Sequence, residues 1–311
     1  MKKILVIGSK GQIGSELIER LRGSYGVENV ISSDVRDREE SDRYYEKINV
    51  LDKKRISETV QKYNIDTIYN LAALLSAKAE ELPLLAWEIG IQGLHNVLEV
   101  ARENACAVFF PSSIGAFGPS TPKDMTPQDT VQRPQTMYGV TKVTGELLSD
   151  YYHKRFGIDT RGLRFPGLIS YKTLPGGGTT DYAVEIFYAA LQEKSYTCPL
   201  SPDTSLDMMY MRDALDAMIQ IMEADPQKLI HRNCFNVTSM SFTPEILAKE
   251  IQKHIPEFTI RYDVDPVKQA IANSWPNSLD DSAARAEWNW QPKFDLPATV
   301  NRMLEMLAKK I

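Results

Sequence analysis

Tyr138-Gly139-Val140-Thr141-Lys142 and Ser112-Ser113 are the residues of this chain whose types and spacing fit acid–base chemistry. Tyr138 and Lys142 are four apart, so on a helix they share a face and the ammonium lies beside the phenol. A free phenol titrates near pH 10, and a base working near neutrality needs that value lowered by roughly 3 units, about 4 kcal/mol of charge stabilisation. A fixed cation supplies much of it. In a chain with 14 tyrosines the spacing also arises by accident, roughly once at this length. The pair therefore acquires meaning only from the elements that position it.

Residues 3–7 form a continuous apolar run of buried parallel-strand type. Gly8-Ser-Lys-Gly11-Gln12-Ile13-Gly14 follows at once, with Ile13, Leu17, Ile18 and Leu21 at helical spacing. Glycines in such a turn let the backbone approach a pyrophosphate, and the helix N-terminus favours its charge. The Gly-x-x-Gly-x-x-Gly spacing alone does not select one dinucleotide-binding family. Residues 30–34 read as a second strand ending in Asp34, whose carboxylate there accepts both adenosine-ribose hydroxyls and repels a 2′-phosphate, favouring NAD. A solvated strand-end acid is the plain alternative. Arg36 and Arg38 could instead receive the phosphate of NADP, although Asp37, Glu39 and Glu40 around them read as a solvated loop.

A third strand is expected over 45–50 with Leu51 and Asp52 at its end, a helix over 53–63, and a fourth strand over 67–71 that empties into Ala72, Ala73, Leu74, Leu75 and Ser76. That stretch is small and apolar enough to lie on a cofactor, and equally fits a packed strand-to-helix turn. A long helix over 83–104, a fifth strand over 107–111 leading into Ser112-Ser113, and a helix over 138–156 follow. Strand C-termini in a doubly wound sheet open on the ligand crevice, which puts Ser113 there and brings Tyr138 back over it. The expected fold class is α/β: a Rossmann-type doubly wound parallel sheet, mainly residues 1–165, with a smaller C-terminal substrate-binding lobe, mainly 166–311, that returns some segments to the sheet. Amphipathic helices over 280–290 and 295–310 finish the lobe.

Composition narrows the function classes. The 311 residues are 43% hydrophobic and 25% charged with a net charge of −5, which is ordinary globular composition without a basic field for nucleic acid or anionic membrane. Neither is expected as a partner. The first apolar run stops at glycine, unlike a signal peptide, and no segment reaches membrane-span length. The cytoplasm is the expected compartment, an organelle being the alternative if a targeting peptide precedes this sequence. Cys106, Cys198 and Cys234 are odd in number and scattered, giving no disulfide framework, and the four histidines lack metal-ligand spacing. The expected chemistry is metal-free.

Taken together, the glycine turn, the acid after the second strand, Ser113, and Tyr138-x-x-x-Lys142 resemble the extended short-chain dehydrogenase/reductase superfamily. Pro111-Ser-Ser-Ile-Gly-Ala-Phe-Gly118, Tyr138-Gly-Val-Thr-Lys142, Arg164-Phe-Pro-Gly167, Pro175-Gly-Gly-Gly-Thr-Thr-Asp-Tyr-Ala183, Met208-Met-Tyr210, Ser239-Met-Ser-Phe-Thr-Pro244 and Asp265-Pro through Ser274-Trp-Pro276 are similar to the short-chain-type L-threonine 3-dehydrogenases. This resemblance covers essentially the whole chain. It implies that Gly8, Gly11, Gln12, Ile13 and Gly14 cradle the pyrophosphate of NAD, that Asp34 holds its adenosine ribose, and that Leu51 and Asp52 flank its adenine. Leu71, Ala72, Ala73 and Pro166 line the same cofactor, Tyr138 borders it, and Lys142 bonds the nicotinamide ribose.

On the substrate side the resemblance implies Ser76, Ser113, Tyr138, Gly178, Thr179, Thr180 and Trp275 around L-threonine, with Ser113, Tyr138 and Lys142 catalytic. Tyr138 as phenolate would take the β-hydroxyl proton while Ser113 fixes that oxygen, giving 2-amino-3-oxobutanoate. Asp181 is a candidate for the substrate ammonium. Pro175 to Gly178 reads as a mobile loop or a plain surface loop. The helices over 83–104 and 138–156 are expected to pair with their copies in a homodimer as a four-helix bundle. Two rivals stand beside this reading: a nucleotide-sugar epimerase or dehydratase with the same Ser/Tyr/Lys set, and a catalytically silent dinucleotide-binding sensor.

Overall fold

The computed structural model describes residues 1–174 and 176–311. Strands β1 (Ile4–Ile7), β2 (Val30–Asp34), β3 (Tyr45–Lys47), β4 (Thr67–Asn70), β5 (Ala107–Ser113), β6 (Thr160–Phe165) and β10 (Phe235–Asn236) form one sheet in the order β10-β6-β5-β4-β1-β2-β3. Every pairing in it is parallel. Alternation explains why β1 is apolar throughout: Leu5 and Ile7 join one core with Ile31 and Ile68, while Ile4 and Val6 join another with Val30 and Tyr69 on the opposite face. Each such aliphatic side chain, once fully buried, contributes about 1.5–3 kcal/mol.

Helices α1 (Gln12–Tyr25), α2 (Lys53–Tyr63), α3 (Ser76–Glu81), α4 (Pro83–Trp87), α5 (Gly93–Asn104) and α6 (Met137–Phe156) belong to the first half. The second half adds α7 (Tyr182–Gln192), α8 (Met211–Glu223), α9 (Pro244–Gln252), α10 (Pro266–Asn273), α11 (Ser282–Trp288) and α12 (Leu296–Ala308). It also adds two small sheets, β11-β9-β7 (Met240–Phe242, Leu206–Tyr210, Gly167–Ile169) and β12-β8 (Thr259–Tyr262, Ser195–Cys198). A third core, built on Phe187, Phe242, Leu247, Trp275 and Met303, fills this lobe and reaches Ile114 and Phe117 just past β5. The β5 terminus is thereby packed between sheet and lobe.

Three expected elements differ from the observed ones. β3 ends at Lys47 instead of residue 50, because its only neighbour β2 ends at Asp34, opposite Lys47, and an edge strand has nothing further to pair with. β5 continues through Ser112 and Ser113, which pair with Arg164 and Phe165 of β6, so both serines lie on a strand. The helix over 83–104 is interrupted by a π-helical segment, Glu88–Gln92, between α4 and α5. Gly90 within it lies so near α6 that a Cβ there would be 3.1 Å from the Thr141 Cβ.

Candidate active site

The turn after β1 is built to receive an anion. Gly8 has φ of +85°, and a Cβ on Gly14 would lie 2.2 Å from the Gly8 carbonyl oxygen, so neither position tolerates a side chain without rebuilding the turn. The N-cap of α1 is Gly11, no side chain caps the helix, and its first turn holds no acid. Its leading N–H groups and the positive end of its dipole are therefore available to a pyrophosphate. The residues present fit a dinucleotide.

A cleft of about 270 Å³ opens there at the strand C-termini. Its lining brings together Gly8, Gly11, Gln12, Ile13, Gly14, Leu71 and Ala73 from the cofactor side, then Ser113, Tyr138, Lys142 and Pro166. Ser76, at the start of α3, and Gly178, Thr179, Thr180, Asp181 and Trp275 from the lobe complete it. Leu75, from the apolar stretch expected to lie on a cofactor, also lines it; Ile114, Phe165 and Leu168 do too and were not expected, their one signal being adjacency to expected residues. Ala72 meets the glycine turn by its backbone, its nitrogen being 3.1 Å from where a Gly8 Cβ would stand. Leu51 and Asp52 are not among the cleft-lining residues: Asp52 is exposed, and its carboxylate caps α2 by accepting from the Arg55 N–H at 2.9 Å.

At the adenosine end, Asp34 is buried and its carboxylate accepts from the Lys10 N–H at 3.0 Å and the Arg36 N–H at 3.2 Å. The Arg36 guanidinium also folds back onto it, with Nε at 2.9 Å and Nη2 at 3.1 Å. Burial pushes the Asp34 carboxyl up, but the Arg36 and Lys10 hydrogen bonds outweigh it and hold the group below its usual range. Arg36 is thus engaged with the acid in this structure, rather than standing apart in the loop.

At the reacting end, Lys142 is buried and donates from Nζ to the Pro111 carbonyl at 2.7 Å, with Nζ 5.3 Å from the centre of the Tyr138 ring. Burial is the main cause that lowers its pKa to about 8, against opposing influences from Cys234 and Glu146. The Tyr138 phenol is raised by burial and pulled back by its hydrogen bond with Ser113. The Ser113 hydroxyl in turn accepts from the Gly115 N–H at 3.1 Å. Thr136 caps α6 by accepting from the Gly139 N–H at 3.1 Å, which fixes where the helix starts and so where Tyr138 points. A strand-end hydroxyl, a phenol and an ammonium sharing one cleft can hold a substrate oxygen and move its proton.

Beneath them lies a group not expected from the sequence, although its spacing is a signal for it. Glu146 continues the Tyr138–Lys142 stripe by another four residues and is buried against Arg164. On the lobe side, Asp181 accepts from the Gly177 and Gly178 N–H groups at 2.7 and 2.6 Å and is raised by burial. Trp275 belongs both to the cleft and to the lobe core. Pro175, at the start of the expected loop, lies outside the described residues. Among the described residues no helix is long and apolar enough to cross a membrane.

Comparison with known proteins agrees with this geometry. The model of the NAD dependent epimerase/dehydratase family matches residues 4–237. An L-threonine dehydrogenase structure from Clostridium difficile is 57% identical, with TM-score 0.98, over 100% of this chain and 98% of that one. The holo form of a GalE-like L-threonine dehydrogenase from Cupriavidus necator is 48% identical, with TM-score 0.96, over 98% and 99% of the two chains. A relative from Staphylococcus saprophyticus known only as an uncharacterized epimerase/dehydratase is 53% identical over 100% of this chain and 98% of its own. With the doubly wound sheet, the glycine turn and the Ser/Tyr/Lys cleft in hand, the chain belongs to the NAD-dependent epimerase/dehydratase family, within the extended short-chain dehydrogenase/reductase superfamily.

Proposed function

We propose that this protein oxidises L-threonine at its β-hydroxyl to 2-amino-3-oxobutanoate, with NAD as cofactor. The observation that carries the reading is the lining of one cleft by Ser113, Tyr138 and Lys142 together with Gly178, Thr179, Thr180 and Trp275. Small hydroxyl and glycine residues face the catalytic set. Lys142 is the only lysine among the described lining residues, and no arginine joins it. An epimerase or dehydratase acting on a nucleotide sugar needs cations to grip a diphosphate, so the lining favours a small amino acid.

NAD, held by the glycine turn, Asp34, Leu71 to Ala73 and Pro166, would supply the hydride acceptor. Ser113 hydrogen-bonds the substrate hydroxyl and fixes it before Tyr138. Tyr138 as phenolate removes the hydroxyl proton. Lys142 stabilises that phenolate and would also bond the nicotinamide ribose. Thr179, Thr180 and neighbouring N–H groups meet the substrate carboxylate, and Asp181 is the candidate for the ammonium. Similarity to solved L-threonine dehydrogenases supports the same substrate.

The reading includes a homodimer. Leu84, Trp87, Leu147 and Tyr151 are exposed large apolar side chains on α4 and α6, a patch that a second copy would cover. Sedimentation showing only monomer at micromolar concentration removes that part. The activity is tested by following NADH at 340 nm with L-threonine and with no substrate, and by assaying UDP-sugars for epimer or dehydration products, because those reactions return the hydride and accumulate no NADH. NADH formation with threonine is expected; conversion of a UDP-sugar, or no NADH with threonine, contradicts the reading.

A further inference from the structure

We propose that the buried Glu146–Arg164 pair is the positioning unit of the catalytic set, clamping α6 to the C-terminal ends of β5 and β6 and standing as the counter-charge of Lys142. This rests on the proposed dehydrogenase reading. Both residues are buried, and the Arg164 guanidinium grips the carboxylate with Nη2 at 2.8 Å and Nε at 3.1 and 3.2 Å. Ser112, next to Ser113, donates its hydroxyl to the same carboxylate, and Gln132 donates at 2.9 Å from the loop before α6. Arg164 reaches on to the Gln128 carbonyl at 2.7 Å and to Asn236 of β10 at 3.2 Å. One buried charge centre thus joins three strands, α6 and the loop leading to it.

The placement has a chemical consequence. Arg164 immediately precedes Phe165 and Pro166, which line the cleft, and Glu146 is one helical turn beyond Lys142. A buried pair of this kind adds little net stability, while removal of one partner leaves an uncompensated charge. Its value lies in fixing geometry, since small misplacements of reacting groups cost on the order of 10²-fold in rate. The titratable and charged groups around Lys142 are Tyr138 and Glu146 on its own helix, Arg164 from β6 and Cys234 before β10, with Asp150 and Asp129 farther out. Glu146 favours the ammonium, and Arg164, paired with that carboxylate at 2.8 Å, offsets part of its field.

Three variants test this: Glu146→Gln, Arg164→Gln, and Asp159→Asn as a control. Asp159 pairs with Arg161 and Arg232 at the opposite end of β6 and so loses an ion pair away from the cleft. Glu146→Gln is expected to lower kcat by about 10- to 100-fold with KM for NAD nearly unchanged, and to bring the alkaline loss of activity to lower pH. Arg164→Gln should move that limb to higher pH. Asp159→Asn should lower the melting temperature and leave the limb in place. The pH at which NADH affinity weakens must shift in the same opposite directions. This readout needs no substrate, so it judges the clamp even if wild type fails to oxidise threonine, which would count against the dehydrogenase reading alone. Limbs that stay put, or move the same way in both variants, overturn the proposal. Should Glu146→Gln not fold, Ser112→Ala is the milder probe: a several-fold loss of kcat at unchanged NADH affinity supports the clamp, and full activity refutes it.

Discussion

The Lys142 ammonium donates a 2.7 Å hydrogen bond to the carbonyl of Pro111, two residues before Ser113 on the same strand. The cation is thus tied to the strand end that carries the cleft-lining Ser113 hydroxyl, and it is buried at a cost. Its pKa is lowered to about 8 from an ordinary 10.5, chiefly by burial. Between those values the unfolded chain binds more protons than the folded one, so stability rises with pH; below about 8 the full penalty is present. Lys142→Met should therefore make the apoenzyme more stable at pH 7 by on the order of 2 kcal/mol after loss of the hydrogen bond, with the gap closing by pH 10. Urea melts at the two pH values check it. Turnover should fall at the same time, by about 10²-fold or more.

Tyr138→Phe removes the proposed base and little else. Loss of 10²-fold or more in kcat is expected, as positioned general bases contribute that much, while NAD affinity stays near wild type. Because the phenol of the free enzyme is raised by burial and lowered by Ser113, wild-type kcat/KM should climb with pH, and the residual rate of the variant should lack that climb. Retention of more than about a tenth of wild-type turnover is incompatible with the role.

How much of this was legible in the sequence follows from what each feature depends on. The glycine turn, Asp34 and the Tyr138–Lys142 stripe are local patterns that gain weight from their order along the chain, and Gly8, Gly11, Gln12, Ile13, Gly14, Tyr138 and Lys142 line the cleft as that order in a doubly wound sheet requires. The substrate side was legible only through family likeness, because Thr179, Thr180 and Trp275 are ordinary residues until the lobe folds over the sheet. Glu146 was half-visible as the next residue on the Tyr–Lys face. Its partner Arg164 comes from β6, and a pairing across elements leaves no spacing to read. The same holds for Arg36, whose hydrogen bonds to Asp34 depend on how the loop turns after β2.

Gly115 packs on the Tyr138 ring. A Cβ there would be 3.0 Å from both Cδ1 and Cε1 of Tyr138 and 3.5 Å from the Ser113 hydroxyl oxygen. Gly115→Ala must push the ring or the turn by a few tenths of an ångström, so kcat should fall by about 10-fold or more, with a loss of stability of roughly 1–3 kcal/mol. Steady-state kinetics beside a thermal melt separates the two effects. Unchanged kcat in a folded variant shows that the phenol position is not critical to that precision.

Trp275 serves the lobe core and the cleft together, so truncation to alanine mixes two effects; large-to-small core changes of this kind cost about 3–5 kcal/mol. Trp275→Phe keeps an aromatic ring in the core and shortens what faces the cleft. The KM for threonine should rise by about 10-fold, within the 1–3 kcal/mol that such pocket contacts provide, and the KM for NAD should change by less than about twofold on the same reasoning. Parallel rises in both constants would place the tryptophan in general lobe closure instead of substrate contact.

Asp34 receives four donors, from Lys10 N–H, Arg36 N–H and two guanidinium nitrogens of Arg36. Ribose hydroxyls must therefore compete with Arg36 for lone pairs, and displacement of the guanidinium leaves a carboxylate that accepts both hydroxyls and repels a 2′-phosphate. In Asp34→Asn the repelling charge is gone and Arg36, released from its partner, can meet that phosphate. The kcat/KM for NAD should drop by about 10-fold or more, as hydrogen bonds to charged groups contribute roughly 1.5–3 kcal/mol each, and the kcat/KM for NADP should rise. Adding Arg36→Ala should abolish the NADP gain while leaving the NAD loss in place. An unchanged ratio of the two kcat/KM values in Asp34→Asn would show that discrimination lies elsewhere in the loop, and a gain for NADP that survives Arg36→Ala would free Arg36 from the role.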